Sequence, residues 1–268
     1  MPDPVTEKHG LSGLLEKHPW TIFLLPFIVF MVVTSLEPTP DAPGGALGFS
    51  IPYAYYPWVY SVKIALVLAT IGLIWPGYRQ FRFHVSLLAI LIGAVGVVIW
   101  VGLCKLQLET KLLKPALAPL LDNRVGESLG LAGMFDATTT RSAFNPFEQM
   151  AGSPVAAWSF LTVRFIGLAL VVPVIEEFFL RGFLMRFVMA RDWWEVPFGK
   201  VTSTAVILGT VFPMLMHPAE LIAAAVWFSM ITWLMVKTKN IWDCVAAHAV
   251  TNFLLGIYVV TTGEWHLM

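Results

Sequence analysis

The stretch Pro173-Val-Ile-Glu176-Glu177-Phe-Phe-Leu-Arg181-Gly182 decides how the rest of this chain must fold. It follows directly on an apolar run that begins at Val155, so two adjacent carboxylates lie deep in an apolar helix. A charged side chain near the centre of a bilayer costs about 3 kcal/mol or more, and such residues usually face a polar interior. The fold must therefore supply a polar cavity or polar partners for this segment.

The composition is that of a membrane protein. Of the 268 residues, 57% are hydrophobic and 13% are charged, whereas a soluble domain carries about 25% charged residues. The apolar residues come in blocks of about 15 to 22, which is the length needed to cross a bilayer as a helix. We predict an all-α polytopic membrane protein, one membrane domain over residues 1–268, with about seven to eight transmembrane helices around an intramembrane polar cavity. The formal net charge is zero, which gives no electrostatic argument for a nucleic-acid partner.

Seven apolar blocks predict the helices. They are residues 20–36, 57–75, 84–103, 155–191, 201–216, 221–236 and 241–261. Between the third and fourth blocks, residues 104–152 are richer in polar side chains but carry many leucines, which predicts a helix lying at the membrane interface, followed by an irregular loop. The N-terminal part of the domain, residues 1–150, thus contributes helices and this segment.

The short loops between the blocks predict the orientation. Basic residues are enriched in cytoplasmic loops. The loop with Arg79 and Arg82 and the loop with Lys237 and Lys239 should therefore be cytoplasmic, and the loop over residues 37–56, which has no Lys or Arg, should lie outside. With seven spans this places the N-terminus in the cytoplasm and residues 104–152 outside.

Helical spacing pairs four of the polar residues in the apolar blocks. Glu177 and Arg181 are four residues apart, as are His248 and Asn252, so each pair lies on one helix face. Glu176 and Glu177 point about 100° apart. We therefore expect Glu176 to face a cavity and Glu177 to turn toward a supporting partner.

The helical rise of ~1.5 Å per residue gives the depth of each polar residue in the membrane. Measured from the predicted cytoplasmic turn near residues 191–200, Glu176 lies ~22 Å above the end of its helix and His217 lies ~26 Å above the start of the next one, so the two levels agree. His248 fits less well, at only ~12 Å above the turn at Lys239. We predict that Glu176, His217 and His248 converge on one cavity, with Glu176 and His217 about 4–6 Å apart and with His248 and Asn252 on the opposite wall.

Lys63 and Arg164 are each alone in an apolar block. Long basic side chains in such positions reach toward the interface with their charged ends or pair with a carboxylate. We predict no catalytic role for either residue.

A carboxylate, two imidazoles and a carboxamide suit the activation of water for attack on an acyl carbon. A Glu in an apolar cavity can act as a general base, and a His or an Asn amide can donate a hydrogen bond to the developing oxyanion. No Ser or Cys lies beside a His in the sequence, so a covalent nucleophile is not favoured. The same side chains could also bind Zn²⁺. Their spacing leaves that reading open, although the His-Glu-x-x-His signature is absent.

At these residues the sequence resembles the CPBP intramembrane proteases, also called the CAAX protease and bacteriocin-processing or Abi family. The pattern Glu-Glu-x-x-x-Arg is matched from Glu176 to Arg181, and His-x-x-x-Asn is matched by His248 and Asn252. In the pattern Phe-x-x-x-His, His217 is present, but Pro213 stands where the family has Phe. The resemblance covers about residues 155–260 and is greatest to the bacterial branch related to CAAX prenyl proteases.

The resemblance implies a glutamate-dependent endopeptidase with no metal or cofactor, acting on a peptide or lipidated protein in the lipid bilayer. It implies a bacterial inner membrane location and leaves the oligomeric state open. Its catalytic residues would be Glu176 (activation of water), His217 (assisting), His248 and Asn252 (oxyanion site), and Glu177 and Arg181 (orientation of the others). One alternative is a non-catalytic membrane factor of the same fold, such as an immunity or scaffold protein. The other is a proton-coupled transporter, which the absence of an internal repeat in the sequence argues against.

Overall fold

The computed structural model describes residues 17–40, 51–121 and 143–268. Within those ranges the chain is helical and has no strand, which confirms the predicted fold class. The main helices are α1 (Thr21–Thr34), α2 (Tyr56–Tyr78), α3 (Leu87–Leu106), α4 (Lys114–Leu121), α5 (Pro146–Gln149), α6 (Pro154–Phe187), α7 (Ser203–Leu215), α8 (Leu221–Thr238) and α9 (Ile241–Thr262).

Five of the helical segments in the described ranges are long and apolar enough to cross a membrane. They contain α2, α3, α6, α8 and α9. The helices α1 and α7 are apolar but shorter. Each of the seven predicted apolar blocks therefore contains a helix. Five of these helices in the described ranges meet the length and composition of a span, and the count of seven to eight stays a prediction.

Helix α6 is longer than the others and contains two π-helical segments, Gly167–Val171 and Phe178–Leu184. A π-helical turn bonds residue i to i+5, and such segments occur frequently at functional sites. One of them begins directly after Glu177, so the winding of the helix changes at the glutamate pair.

The helix ends at Phe187, four residues before the predicted end at residue 191. Here Arg186 donates hydrogen bonds to the backbone carbonyl oxygens of Trp194 at 2.7 Å and Val196 at 2.9 Å, which hold the returning chain against the helix. Because α6 ends earlier than predicted, the difference in membrane depth between the glutamate pair and His248 is smaller than the sequence indicated. Glu176 lies ~17 Å above the end of α6, and His248 lies ~11 Å above the start of α9.

Helices α3 and α9 approach each other closely. A Cβ atom on Gly93 of α3 would lie 2.6 Å from the carbonyl oxygen of Ala247, so only glycine permits this distance between the helices. At the other end of the contact, the Asp243 carboxylate accepts a 2.7 Å hydrogen bond from the backbone N–H of Ser86. These contacts fix the position of α9, and with it His248.

The segment predicted to lie at the interface is helical from Glu109 to Leu121. The buried Glu109 carboxylate accepts a 2.9 Å hydrogen bond from the backbone N–H of Ile222, at the start of α8. The segment therefore also caps a transmembrane helix. The predicted loop over residues 122–142 lies outside the described residues, as do residues 1–16 and 41–50.

Candidate active site

A cavity of about 400 Å³ lies beside Glu176 on α6. His217, which follows the C-terminal end of α7, lines the same cavity together with Phe212 and Pro213. Glu176 and His217 are both half-buried, so their side chains reach a space that water can enter. Two of the three sequence motifs therefore meet at one cavity, as expected for Glu176 and His217.

Glu177 is directed away from that cavity and is fully buried. One carboxylate oxygen accepts a 2.5 Å hydrogen bond from the guanidinium of Arg181, and the other lies 2.9 Å from Nδ1 of His248. Arg181, which is also fully buried, donates a second bond of 3.2 Å to the backbone oxygen of Phe228. The Glu177 carboxylate thus connects α6 to α9 through His248, and its ion-pair partner Arg181 connects α6 to α8 through Phe228. Both carboxylate oxygens are satisfied by donors, as a buried charge requires.

His217 is held by its own chain and by aromatic rings. Its Nδ1 lies 2.8 Å from the carbonyl oxygen of Pro213. A carbonyl oxygen only accepts, so Nδ1 carries the hydrogen, and in a neutral ring Nε2 is then the basic nitrogen. The ring also packs against Trp100 and Phe228, with centroid distances of 5.6 and 5.7 Å. Proline in place of the family's Phe at position 213 thus leaves the position of His217 well defined.

His248 is buried against Trp227, with ring centroids 4.6 Å apart. The indole N–H of Trp227 donates to the hydroxyl of Thr251 at 3.2 Å, which fixes the ring that supports the imidazole. Asn252, one turn after His248, donates from its side-chain amide to the backbone oxygen of Leu168 at 2.9 Å. Sequence reasoning missed Trp227 and Thr251, since neither type is unusual in an apolar helix.

The structure departs from the expected arrangement at His248 and Asn252. Neither residue is among those that line the cavity beside Glu176. The physical reason is that the buried Glu177 carboxylate requires a second donor, and His248 supplies it.

Lys63 and Arg164 line the same cavity as Glu176, which the sequence did not reveal. Lys63 forms a 2.6 Å ion pair with Glu37, which is one of the two alternatives predicted for it. Arg164 instead donates to the backbone oxygens of Phe144 at 2.8 Å and Met268 at 2.9 Å. In a regular α-helix, residues twelve apart do not lie on the same face. Arg164 and Glu176 come to share a face only because α6 contains a π-helical segment between them, which has more residues per turn.

Among the described residues, no group of three or more His, Cys, Asp and Glu side chains is arranged to hold a metal ion. The expectation that the protein acts without a metal stays a prediction.

Comparison with known proteins gives one match. Residues 158–254 match the family model described as type II CAAX prenyl endopeptidase, Rce1-like. The matched segment contains all six predicted catalytic residues and Arg164, and it leaves out Lys63 and Glu37. A search of curated proteins and a search of solved structures found no match. The match confirms the family resemblance, and the bacterial branch stays a prediction.

Proposed function

We propose that the protein is an intramembrane endopeptidase that uses Glu176 to activate water, on the premise that residues 158–254 match the family model of type II CAAX prenyl endopeptidases. One observation carries the proposal: Glu176 lies on α6, His217 lies directly after α7, and both line the same cavity. A carboxylate and an imidazole that share a space able to hold water are what general base catalysis requires.

The proposed reaction begins with a water molecule between Glu176 and the carbonyl carbon of the substrate. Glu176 takes one proton from the water, and the oxygen forms a bond to the carbonyl carbon. The tetrahedral intermediate then collapses, the carbon–nitrogen bond breaks, and the proton passes to the leaving nitrogen. Nε2 of His217 can accept a hydrogen bond from the water, because Nδ1 already donates to Pro213.

Glu177 and Arg181 act in this proposal as positioning residues. Their ion pair is fully buried, and the same carboxylate orients His248 through Nδ1. With Nδ1 donating to Glu177, a hydrogen on Nε2 of His248 would require the doubly protonated ring. In that form His248 could stabilise the oxyanion of the intermediate.

Asn252 is proposed as a second donor to the oxyanion. A carboxamide carries two N–H hydrogens, and one of them bonds to Leu168 in this structure. The second hydrogen can serve a substrate that reaches between α6 and α9. In this role the substrate extends beyond the cavity that Glu176 and His217 line and reaches the contact between α6 and α9.

We propose a peptide or a lipidated protein in the bilayer as the substrate, since the matched family is one of prenyl endopeptidases. The outward surface of the helices exposes large apolar side chains, such as Trp58, Val98 and Val155. A lipid-attached segment would meet the same apolar environment as these side chains.

The test compares protein termini in cells that carry the wild-type protein, Glu176→Gln or Glu195→Gln. Glu195 is an exposed carboxylate outside the cavity and serves as the matched control. We expect new termini with the wild-type protein and with Glu195→Gln, and their loss with Glu176→Gln. Identical termini in all three would contradict the protease, and a cellular function that survives Glu176→Gln would indicate a non-catalytic membrane factor.

A further inference from the structure

The residues after α9 fold back against the helices. The chain turns at Gly263, which has a left-handed backbone conformation with φ 77°, and Trp265–Leu267 then form a 3-10 turn. Trp265 is 8% exposed and Leu267 is 7% exposed. The ring of Trp265 also packs edge-on against Phe147 of α5, with centroids 6.0 Å apart. Residues 263–268, which we call the strap, are therefore docked onto the protein.

The tip of the strap reaches the cavity that Glu176 lines. Met268 is one of the lining residues, and its main-chain oxygen accepts a 2.9 Å hydrogen bond from the guanidinium of Arg164. The same guanidinium donates at 2.8 Å to the carbonyl oxygen of Phe144, just before α5. Lys63 and Arg164 line the cavity, yet they are only 3% and 6% exposed. This end of the cavity is therefore shielded from solvent, and the strap forms part of the shield.

The base of the strap is held separately from its tip. The Glu264 carboxylate accepts a 3.0 Å hydrogen bond from the hydroxyl of Tyr258 and lies 3.4 Å from Nζ of Lys105. A Cβ atom on Gly263 would meet nothing within 4 Å, so neighbouring side chains do not confine the turn. An unconfined turn beside an anchored residue is suited to act as a hinge, because the backbone angles of a few residues can absorb the motion.

We propose that the strap is a gate, which closes one end of the cavity in this structure and swings about Gly263 to admit water-soluble molecules. The buried side chains of Trp265 and Leu267 favour the closed state. The contact at the tip is polar, so Arg164 can exchange its hydrogen bond to Met268 for hydrogen bonds to water when the strap leaves. Because Arg164 then regains the hydration that it lost on burial, opening is less unfavourable than separating two apolar surfaces of the same size.

The open gate would connect the cavity to the end of the helix bundle where α9 ends. The rise of α6 places Arg164 and Glu176 ~18 Å apart, so a molecule that enters here passes Leu168 and Val172 before it meets Glu176. The closed strap limits access to Glu176 from this end and is therefore an autoinhibitory contact. This consequence for catalysis rests on the proposed function, whereas the gate itself does not.

Access to the cavity is measured in Leu168→Cys, since Leu168 lines the cavity between Arg164 and Glu176. The purified protein in neutral detergent is treated with a cationic methanethiosulfonate, which stays in water. Mass spectrometry follows the modification of each cysteine-containing peptide separately. Cys244, which is buried and is not among the residues that line the cavity, reports a general loosening of the fold.

Two further substitutions weaken the closed state from opposite ends. Trp265→Ala removes the buried ring of the strap, and Arg164→Gln removes the guanidinium that holds its tip. We expect each to raise the rate of modification at position 168 by at least about tenfold, which corresponds to about 1.4 kcal/mol in the equilibrium between closed and open strap. The matched control Trp58→Ala removes an exposed ring and should change nothing. Cys244 should stay unmodified throughout.

Three results would overturn the gate. Fast modification at position 168 with the strap intact would show that this end of the cavity is already open. An unchanged rate after both Trp265→Ala and Arg164→Gln would show that the strap does not control access. A parallel rise at position 168 and at Cys244 would show that the strap supports the whole fold instead of closing the cavity.

Hydrolysis of a peptide that ends in Cys-Val-Ile-Met, with a farnesyl group on the cysteine, separates this inference from the proposed function. Faster hydrolysis after Trp265→Ala, in step with faster modification at position 168, supports both. Hydrolysis that Trp265→Ala leaves unchanged refutes the autoinhibitory contact and leaves the protease standing. The expected pattern of modification without hydrolysis by any variant supports the gate and refutes the protease.

Discussion

Replacing each of the two adjacent glutamates by glutamine should separate catalysis from stability. In Glu177→Gln the new side chain has one acceptor oxygen in place of two, while Arg181 and His248 both need an acceptor. Arg181 is fully buried and loses its counter-charge. Breaking a buried ion pair by removing one partner costs about 3–5 kcal/mol. We take about 3 kcal/mol, because glutamine keeps one of the hydrogen bonds.

In Glu176→Gln the expected change in stability is small. Glu176 is half-buried beside the cavity, and its carboxylate has no ion pair among those found in the described residues. The substitution removes the proposed base, so hydrolysis should fall by at least about 100-fold, the lower range for general base catalysis. Catalysis should therefore be lost with the fold intact.

The assay is thermal unfolding in detergent, followed with a thiol-reactive dye that reports exposure of the buried Cys244. About 3 kcal/mol corresponds to a fall in Tm of about 6–12 °C for a chain of this size class. We expect that fall for Glu177→Gln, and a change within about 2 °C for Glu176→Gln and for the exposed control Glu195→Gln. Equal Tm values for the two glutamate variants, or a larger fall for Glu176→Gln, would refute the assignment of Glu177 as the structural member of the pair.

Three further outcomes are expected. Gly182→Ala should lower the Tm, because its Cβ would lie 2.6 Å from the ring of Phe23, whereas Gly72→Ala meets nothing within 4 Å and should leave the Tm unchanged or raise it; equal effects would contradict the packing of α1 on α6. Single cysteines placed beside Arg79 and beside Glu37 should be labelled from opposite sides of the membrane, and labelling from one side would refute the predicted topology. Hydrolysis should persist after treatment with a chelator, while loss of activity that Zn²⁺ alone restores would indicate a metalloprotease.

The positions of the apolar helices could be predicted from the sequence, because hydrophobic length is a local property. The predicted block 241–261 corresponds to Ile241–Thr262, and 221–236 to Leu221–Thr238. The end of α6 was predicted four residues too late, because the hydrogen bonds of Arg186 that stop the helix involve the chain beyond it. The blocks 20–36 and 201–216 were predicted as spans, but the helices that they form, α1 and α7, are shorter than a typical span, so that part of the prediction stays a prediction.

The sequence by itself determined that the carboxylates, imidazoles and cations of this protein lie in apolar helices, and the spacing of four residues determined that Glu177 pairs with Arg181. The rotation of α6 about its own axis decides which of the two glutamates faces the cavity. That rotation depends on packing against the neighbouring helices and on the π-helical segments. The pairing of His248 with Glu177 was likewise decided by tertiary structure. Two buried donors converge on one carboxylate from different helices, and sequence spacing carries no information about contacts between helices. The same reason explains why Lys63 and Arg164, each alone in its own block, share one cavity with Glu176.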